Sequence, residues 1–241
     1  ARNISLANEY ADIRQLHLNG ANLNITLGKT DEEKEDSTQA PINWNIHLYK
    51  GNIENTDIAI NLPQDTVTIA SGINKFIAKE LQADLAKQRY TLEYLQLANS
   101  TFAYNSGTQA REEAPLKHIT AENINIEGGG FIYSPTELAT KISALSFNQP
   151  AGVNINKGVL ELTATDTEIN IKQVILESAN GSYINATSTL PIDLFNGNAK
   201  GAIEATAIAH INKRDLKGFV TKEQAESLNT LPDSLLDASI I

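Results

Sequence analysis

The chain has 241 residues, is 41% hydrophobic with only 6% aromatics, and carries a net charge of −10. This length suits one large β domain or two small ones, and the acidic balance argues against nucleic acid, whose binding rests on Lys and Arg, and against adsorption on an anionic membrane. The absence of cysteine excludes disulfides, thiolate metal sites and a cysteine nucleophile; the absence of methionine, even at position 1, and of any apolar run of ~18 residues predicts an internal piece of a larger protein with no spanning helix of its own.

Residues 4–27 alternate and read as strands. Inside them, Leu16-His-Leu18-Asn-Gly-Ala-Asn-Leu23-Asn-Ile25 sets a frame: apolar, any, apolar, four turn-prone residues, apolar, any, apolar. The frame returns as Ile46-His-Leu48-Tyr-Lys-Gly-Asn-Ile53 (with Asn55 in the last slot), as Leu95-Gln-Leu97-Ala-Asn-Ser-Thr-Phe102-Ala-Tyr104, and as Ile124-Asn-Ile126-Glu-Gly-Gly-Gly-Phe131-Ile-Tyr133. Side chains alternate along a strand, so Leu18 and Leu23 would point opposite ways if the strand were continuous. Folding the chain at Gly20-Ala21 puts Leu18 opposite Leu23 and Leu16 opposite Ile25; the matching turn pairs are Lys50-Gly51, Asn99-Ser100 and Gly128-Gly129. The prediction is therefore a set of β-hairpins, each apolar on one face. Leu16, Leu18, Leu23, Ile25, Ile46, Leu48, Ile53, Leu95, Leu97, Phe102, Tyr104, Ile124, Ile126, Phe131 and Tyr133 would line a shared wall.

Between these frames, residues 29–40, with Asp31-Glu-Glu-Lys-Glu-Asp36, read as an acidic flexible loop. Ile42, Trp44, Ile46 and Leu48 alternate, and Ile58, Ile60 and Leu62 follow. Residues 76–85 fit a helix face as well as a strand; alternation continuing through Tyr90, Leu92 and Tyr94 favours strand. Ser134-Pro-Thr-Glu137 resembles a helix-starting capping box, while residues 141–147 suit a strand equally. Farther on, Asn180-Gly181 and Asn196-Gly197 are hairpin signals. Only residues 214–231 read as a short helical insert, with Asp215 capping a turn at Leu216 to Phe219, helix formers from Thr221 to Leu228, and Pro232 as a stop. The fold class is all-β: serial antiparallel hairpins forming a curled sheet or open β-groove, β-taco-like, with few short helices, as one elongated segment over 1–241. Its apolar face requires cover, from barrel closure, a second sheet or a bent trough.

No motif points to chemistry. Gly28-Lys29-Thr30 ends like a phosphate loop, but Leu23 stands where its first glycine belongs. The histidines His17, His47, His118 and His210 lack metal-ligand spacing, and His17 and His47 fall in slots that point away from the apolar face. Asp166 and Glu168 are the nearest to an acid–base pair, leaving a carbohydrate-active β-solenoid as a minor alternative. The chain reads as no enzyme, with no cofactor and no metal.

The hairpin frame at Ile46-His-Leu48, residues 92–104, Leu116-Lys-His-Ile-Thr-Ala-Glu-Asn-Ile124-Asn-Ile126, residues 142–147 before Pro150-Ala-Gly152, Ile175-Leu-Glu-Ser178 running into residues 182–190, and Arg214-Asp-Leu216-Lys-Gly-Phe219 together resemble the AsmA-like superfamily of Gram-negative envelope proteins. Within it they are similar to the TamB-type translocation and assembly module proteins of Bacteroidota. This resemblance implies an open β-trough, apolar within and polar without, in a periplasmic bridge whose full-length protein is anchored in the inner membrane. It implies phospholipid transport, outer-membrane protein assembly, or both, with phospholipid acyl chains as ligand and a TamA-like outer-membrane barrel as partner through regions outside this chain. The alternative is a scaffolding β domain of the envelope without lipid transfer.

Overall fold

A computed structural model describes residues 3–27, 43–150, 152–194 and 203–240. The acidic loop at 29–40 and the Asn196-Gly197 turn therefore lie outside the described residues.

The described chain forms the strands β1 Asn3–Ser5, β2 Tyr10–Ile13, β3 Leu16–Asn19, β4 Asn22–Thr26, β5 Asn45–Leu62, β6 Val67–Asp84, β7 Arg89–Ser106, β8 His118–Ser134, β9 Glu137–Asn148, β10 Asn154–Thr165, β11 Glu168–Ser178, β12 Tyr183–Pro191, β13 Glu204–Asn212 and β14 Ser234–Ile240. They build a single 14-stranded sheet in the order β1-β2-β5-β6-β7-β8-β9-β10-β11-β12-β13-β14. From β5 onward each strand pairs antiparallel with the next, as expected of a meander. The sheet is open, so the barrel alternative falls away and the expected open all-β architecture stands. Between β13 and β14 lie the short helices α1 (Lys213–Leu216) and α2 (Lys222–Leu228). Asn212, not Asp215, caps α1 by accepting from the Arg214 amide, whereas Thr221 caps α2 with a capping box to Gln224. Residues 76–85 and 141–147, ambiguous in sequence, belong mainly to β6 and β9.

The four predicted hairpins are not formed at the predicted turns. Lys50-Gly51 lies inside β5, Asn99-Ser100 inside β7 and Gly128-Gly129 inside β8. Gly20-Ala21 joins β3 to β4, and both run parallel to β5, with Leu18 beside Ile53 and Leu23 beside Ile58. Leu18 therefore does not face Leu23 across a turn. The real connections fall at the ends of strands up to 18 residues long, such as 63–66 between β5 and β6.

The odd spacing has a different cause. Residues with positive φ accompany these odd jumps: Gly20 (φ 67) between Leu18 and Leu23, Asn55 (φ 47) past Ile53, Asn99 (φ 48) between Leu97 and Phe102 and Asn123 (φ 50) before Ile124 lie on one line across the sheet; Gly130 (φ 58) between Ile126 and Phe131 and, on the strand beside the Leu48–Ile53 stretch, Glu80 (φ 53) lie on another. A left-handed residue in a strand takes the place of an extra, bulged position and resets which side the following residues face. In β7–β8 the register shifts on both sides of Ser100. In β5–β6 the pairing Glu54↔Lys75 is followed by Thr56↔Ile73, with Asn55 skipped and the register kept. The resetting is visible at Gly51, three residues after Leu48: a Cβ there would lie 3.3 Å from Leu48 Cδ2 and 3.6 Å from Ala78 Cβ, so Leu48 reaches over the same side as Ala78.

Candidate functional site

Because paired residues on neighbouring strands project to the same face, the register can be followed across the sheet as rows. One row runs Leu18–Ile53–Phe76–Leu97–Ile126–Leu145–Gly158–Leu176–Ile184–Ala209. The next runs Leu16–Gly51–Ala78–Leu95–Gly128–Ile142–Leu160–Val174–Ala186–Ala207. Neither row contains a polar side chain. Beyond the Glu80–Gly130 line lie Leu48–Leu81–Leu92–Phe131 and Ile46–Ala83–Tyr90–Tyr133; beyond the Gly20–Asn55–Asn99–Asn123 line, Leu23–Ile58–Ser71–Phe102 and Ile25–Ile60–Ile69–Tyr104. All the residues singled out in the sequence fall on these rows except Ile124, which pairs with Ser100 on the break line itself.

The break line is built to hide its polarity. Thr56 and Ser100 are fully buried and each follows a left-handed asparagine. Thr56 Oγ1 donates to the Glu54 carbonyl at 2.9 Å and Ser100 Oγ to the Ala98 carbonyl at 3.1 Å, so both hydroxyls are satisfied by their own strand. Asn55 Nδ2 donates to Asn19 Oδ1 at 3.1 Å, tying β5 to the β3 edge. The other line depends on three glycines in β8. A Cβ on Gly129 would lie 1.9 Å from the Glu93 carbonyl oxygen and one on Gly128 2.4 Å from that of Lys141, while Gly130 carries the positive φ.

The opposite face carries the charged and polar pairs, with Ile77, Val159, Ile175 and Ile208 among them. Glu161 receives Lys141 at 3.2 Å and Lys172 at 3.4 Å, and the hydrogen bond from Lys141 holds its carboxyl below the ordinary carboxylate range. His47 Nε2 lies 2.8 Å from Glu80 Oε2, and its ring packs 3.9 Å from that of Tyr49. Tyr94 donates to Glu127 at 3.3 Å, and desolvation with the nearby Glu127 charge raises its phenol. Among the described residues no group of three His, Asp or Glu side chains is placed to hold a metal ion.

The apolar face is only partly covered. Leu48 and Ile124 are 8% and 9% exposed, whereas Leu16 is 53%, Leu23 41%, Phe102 37% and Tyr133 48% exposed. Cover comes at one corner, from the insert. Leu216 and Phe219 sit over Leu145, Phe147, Ile155, Leu176 and Ile184, bounding a half-open cavity of ≈ 410 Å³ with an almost wholly apolar lining. Asp215, 4% exposed, fastens the insert to the β11–β12 turn: its carboxylate accepts from Ser178 Oγ and Ser182 Oγ at 2.5 Å each and from Asn180 Nδ2 at 2.7 Å. The sequence reading missed this carboxylate's role and the continuation of the rows over β9–β13. Alternation at residues 142–147, 160–162 and 174–176 signals those rows; the Asp215 partners have no sequence signal.

No family model, curated protein or solved structure matches this chain.

Proposed function

We propose that this chain is a hydrophobic β-trough that holds phospholipid acyl chains, as one segment of a periplasmic bridge in a Gram-negative envelope. The observation that carries the reading is the pair of apolar rows crossing ten strands on a face that the described residues cover only at the β9–β12 corner. Each methylene such a face removes from water contributes ~0.8 kcal/mol, so a tail lying along several strands is held by area alone. No acid, base or nucleophile is needed, which agrees with a polar face of ion pairs and hydrogen bonds. Phospholipid transport, outer-membrane protein assembly and a TamA-like barrel partner belong to the same proposal and rest on the family resemblance. No helix among the described residues is long and apolar enough to cross a membrane; the inner-membrane anchor rests on the family resemblance alone.

A scaffolding domain without lipid is the second reading, favoured by the insert's coverage of the β9–β12 corner. Native mass spectrometry of the purified chain separates the two. Phospholipid-mass adducts that disappear on detergent exchange and return on incubation with phosphatidylethanolamine vesicles are expected. A lipid-free spectrum under both conditions would leave the scaffold reading.

A further inference from the structure

The insert does more than cover a corner. From the end of β13 it crosses the sheet over several strands, gaining a foothold at each step. Asp215 binds the β11–β12 turn through Ser178, Asn180 and Ser182. Gly218 then meets the β9–β10 turn so closely that a Cβ on Gly152 would lie 2.5 Å from the Gly218 amide nitrogen. The Lys222 amide finally donates to the Glu112 carbonyl at 3.0 Å, in the loop between β7 and β8. The return is fixed by Lys213 Nζ on the Leu231 carbonyl at 2.6 Å and by Lys217 Nζ on Asn229 at 2.9 Å. One segment thus joins turns belonging to β7 through β13 at the same end of the sheet.

Beneath this strap is the ≈ 410 Å³ cavity. Its volume lies in the ~300–1,000 Å³ range of small-molecule sites, but it lacks the few convergent polar groups such sites use to orient a ligand. Asp215, Ser178 and Ser182 touch its edge, and their polar atoms are already bound to one another. The occupant must therefore be apolar where it contacts the wall. Leu145, Leu176 and Ile184 line the cavity and are also members of the long apolar row, so the cavity is continuous with the open face.

We infer that the strap is an end-stop and that the cavity beneath it seats the terminal methyl end of one acyl chain, with the chain's carboxyl end lying toward β7 and β8. This inference rests on the trough reading and adds a direction to it: tails enter the β9–β12 corner methyl end first.

Two phosphatidylcholines distinguish the inference from its basis, one with a diazirine at the tail terminus and one with a diazirine two carbons from the ester. Each is presented in vesicles to the whole chain, photolysed, and mapped by peptide mass spectrometry. The terminal probe is expected to label peptides containing Leu216, Phe219 or Ile184 at least five-fold more than the ester-proximal probe does, with the ester-proximal probe labelling Leu97 or Ile126. Filling the cavity with Leu176→Trp should abolish the strap labelling and keep the labelling at Leu97; circular dichroism of this variant verifies the sheet. If both probes label Leu97 and Ile126 and neither labels the strap, the end-stop is wrong and the trough survives. Absence of labelling with either probe would remove both.

Discussion

The two halves of the sheet solve the same problem differently. From β5 to β8 the strands run 17 or 18 residues and the apolar face lies open; from β9 to β13 they run 9 to 12 residues and the chain itself roofs part of that face. The long strands need internal resets, because twist and uninterrupted pleat would not keep one apolar face aligned over such a length. They place left-handed Asn, Glu and Gly residues on lines across neighbouring strands. The short strands manage with register shifts alone and spend their polar chemistry on Asp215 and the strap. Face continuity is thus a backbone property in one half, and face coverage a side-chain property in the other.

The largest effect should come from forcing a side chain into the open half. Gly129→Ala puts a methyl against the Glu93 carbonyl, which cannot move without parting β7 from β8. A loss of more than about 3 kcal/mol in urea unfolding is expected, or failure to fold; a change under 1 kcal/mol would show that the close approach is dispensable. In the roofed half, Asp215→Ala strands three donors and should cost about 3 kcal/mol. Its hydrogen exchange should rise in residues 213–231 and stay unchanged in β5–β8, which confines the damage to one half. Protection lost evenly across the sheet would mean the two halves are not separable.

Smaller changes probe the resets. Asn99→Val should cost about 1–2 kcal/mol and Asn99→Gly almost nothing, since a β-branched residue resists φ near 48 and glycine accepts it. Equal effects would count against a left-handed requirement. Thr56→Val removes the hydroxyl bond to the Glu54 carbonyl at nearly constant shape, with about 1 kcal/mol lost. Smallest of all is the polar face. Glu161 is held below its ordinary range by Lys141, so its contribution is present above the unfolded-state carboxylate range and lost as pH falls through the lower folded value. Glu161→Gln should flatten the acid side of the stability–pH curve slightly and leave the neutral plateau in place.

Much of this was legible in the residues. The all-β class, the apolar membership of Leu95, Leu97, Phe102 and Tyr104, and the insert near 214–231 follow from alternation and helix-stop signals. The hairpins did not follow, because a frame with an odd jump has two solutions: a turn, or a left-handed residue inside a longer strand. Asn and Gly serve both equally well, and only pairing partners distant in sequence distinguish them. The parallel docking of β2, β3 and β4 on β5 was hidden for a related reason. Leu18 beside Ile53 is a long-range pairing that leaves no local trace. Asp215 looked like a cap because caps are local, whereas its actual partners lie 33 to 37 residues away.

The most direct test of one apolar face carried through the resets, and of its lipid occupant, is photo-crosslinking from single positions on the two sides of Asn99. Benzophenone side chains at Leu97 and Phe102 should capture phospholipid, and those at Gln96 and Thr101 should not. Adducts at Leu97 and Thr101 together, as plain alternation requires, or equal capture at all four positions, would contradict the account.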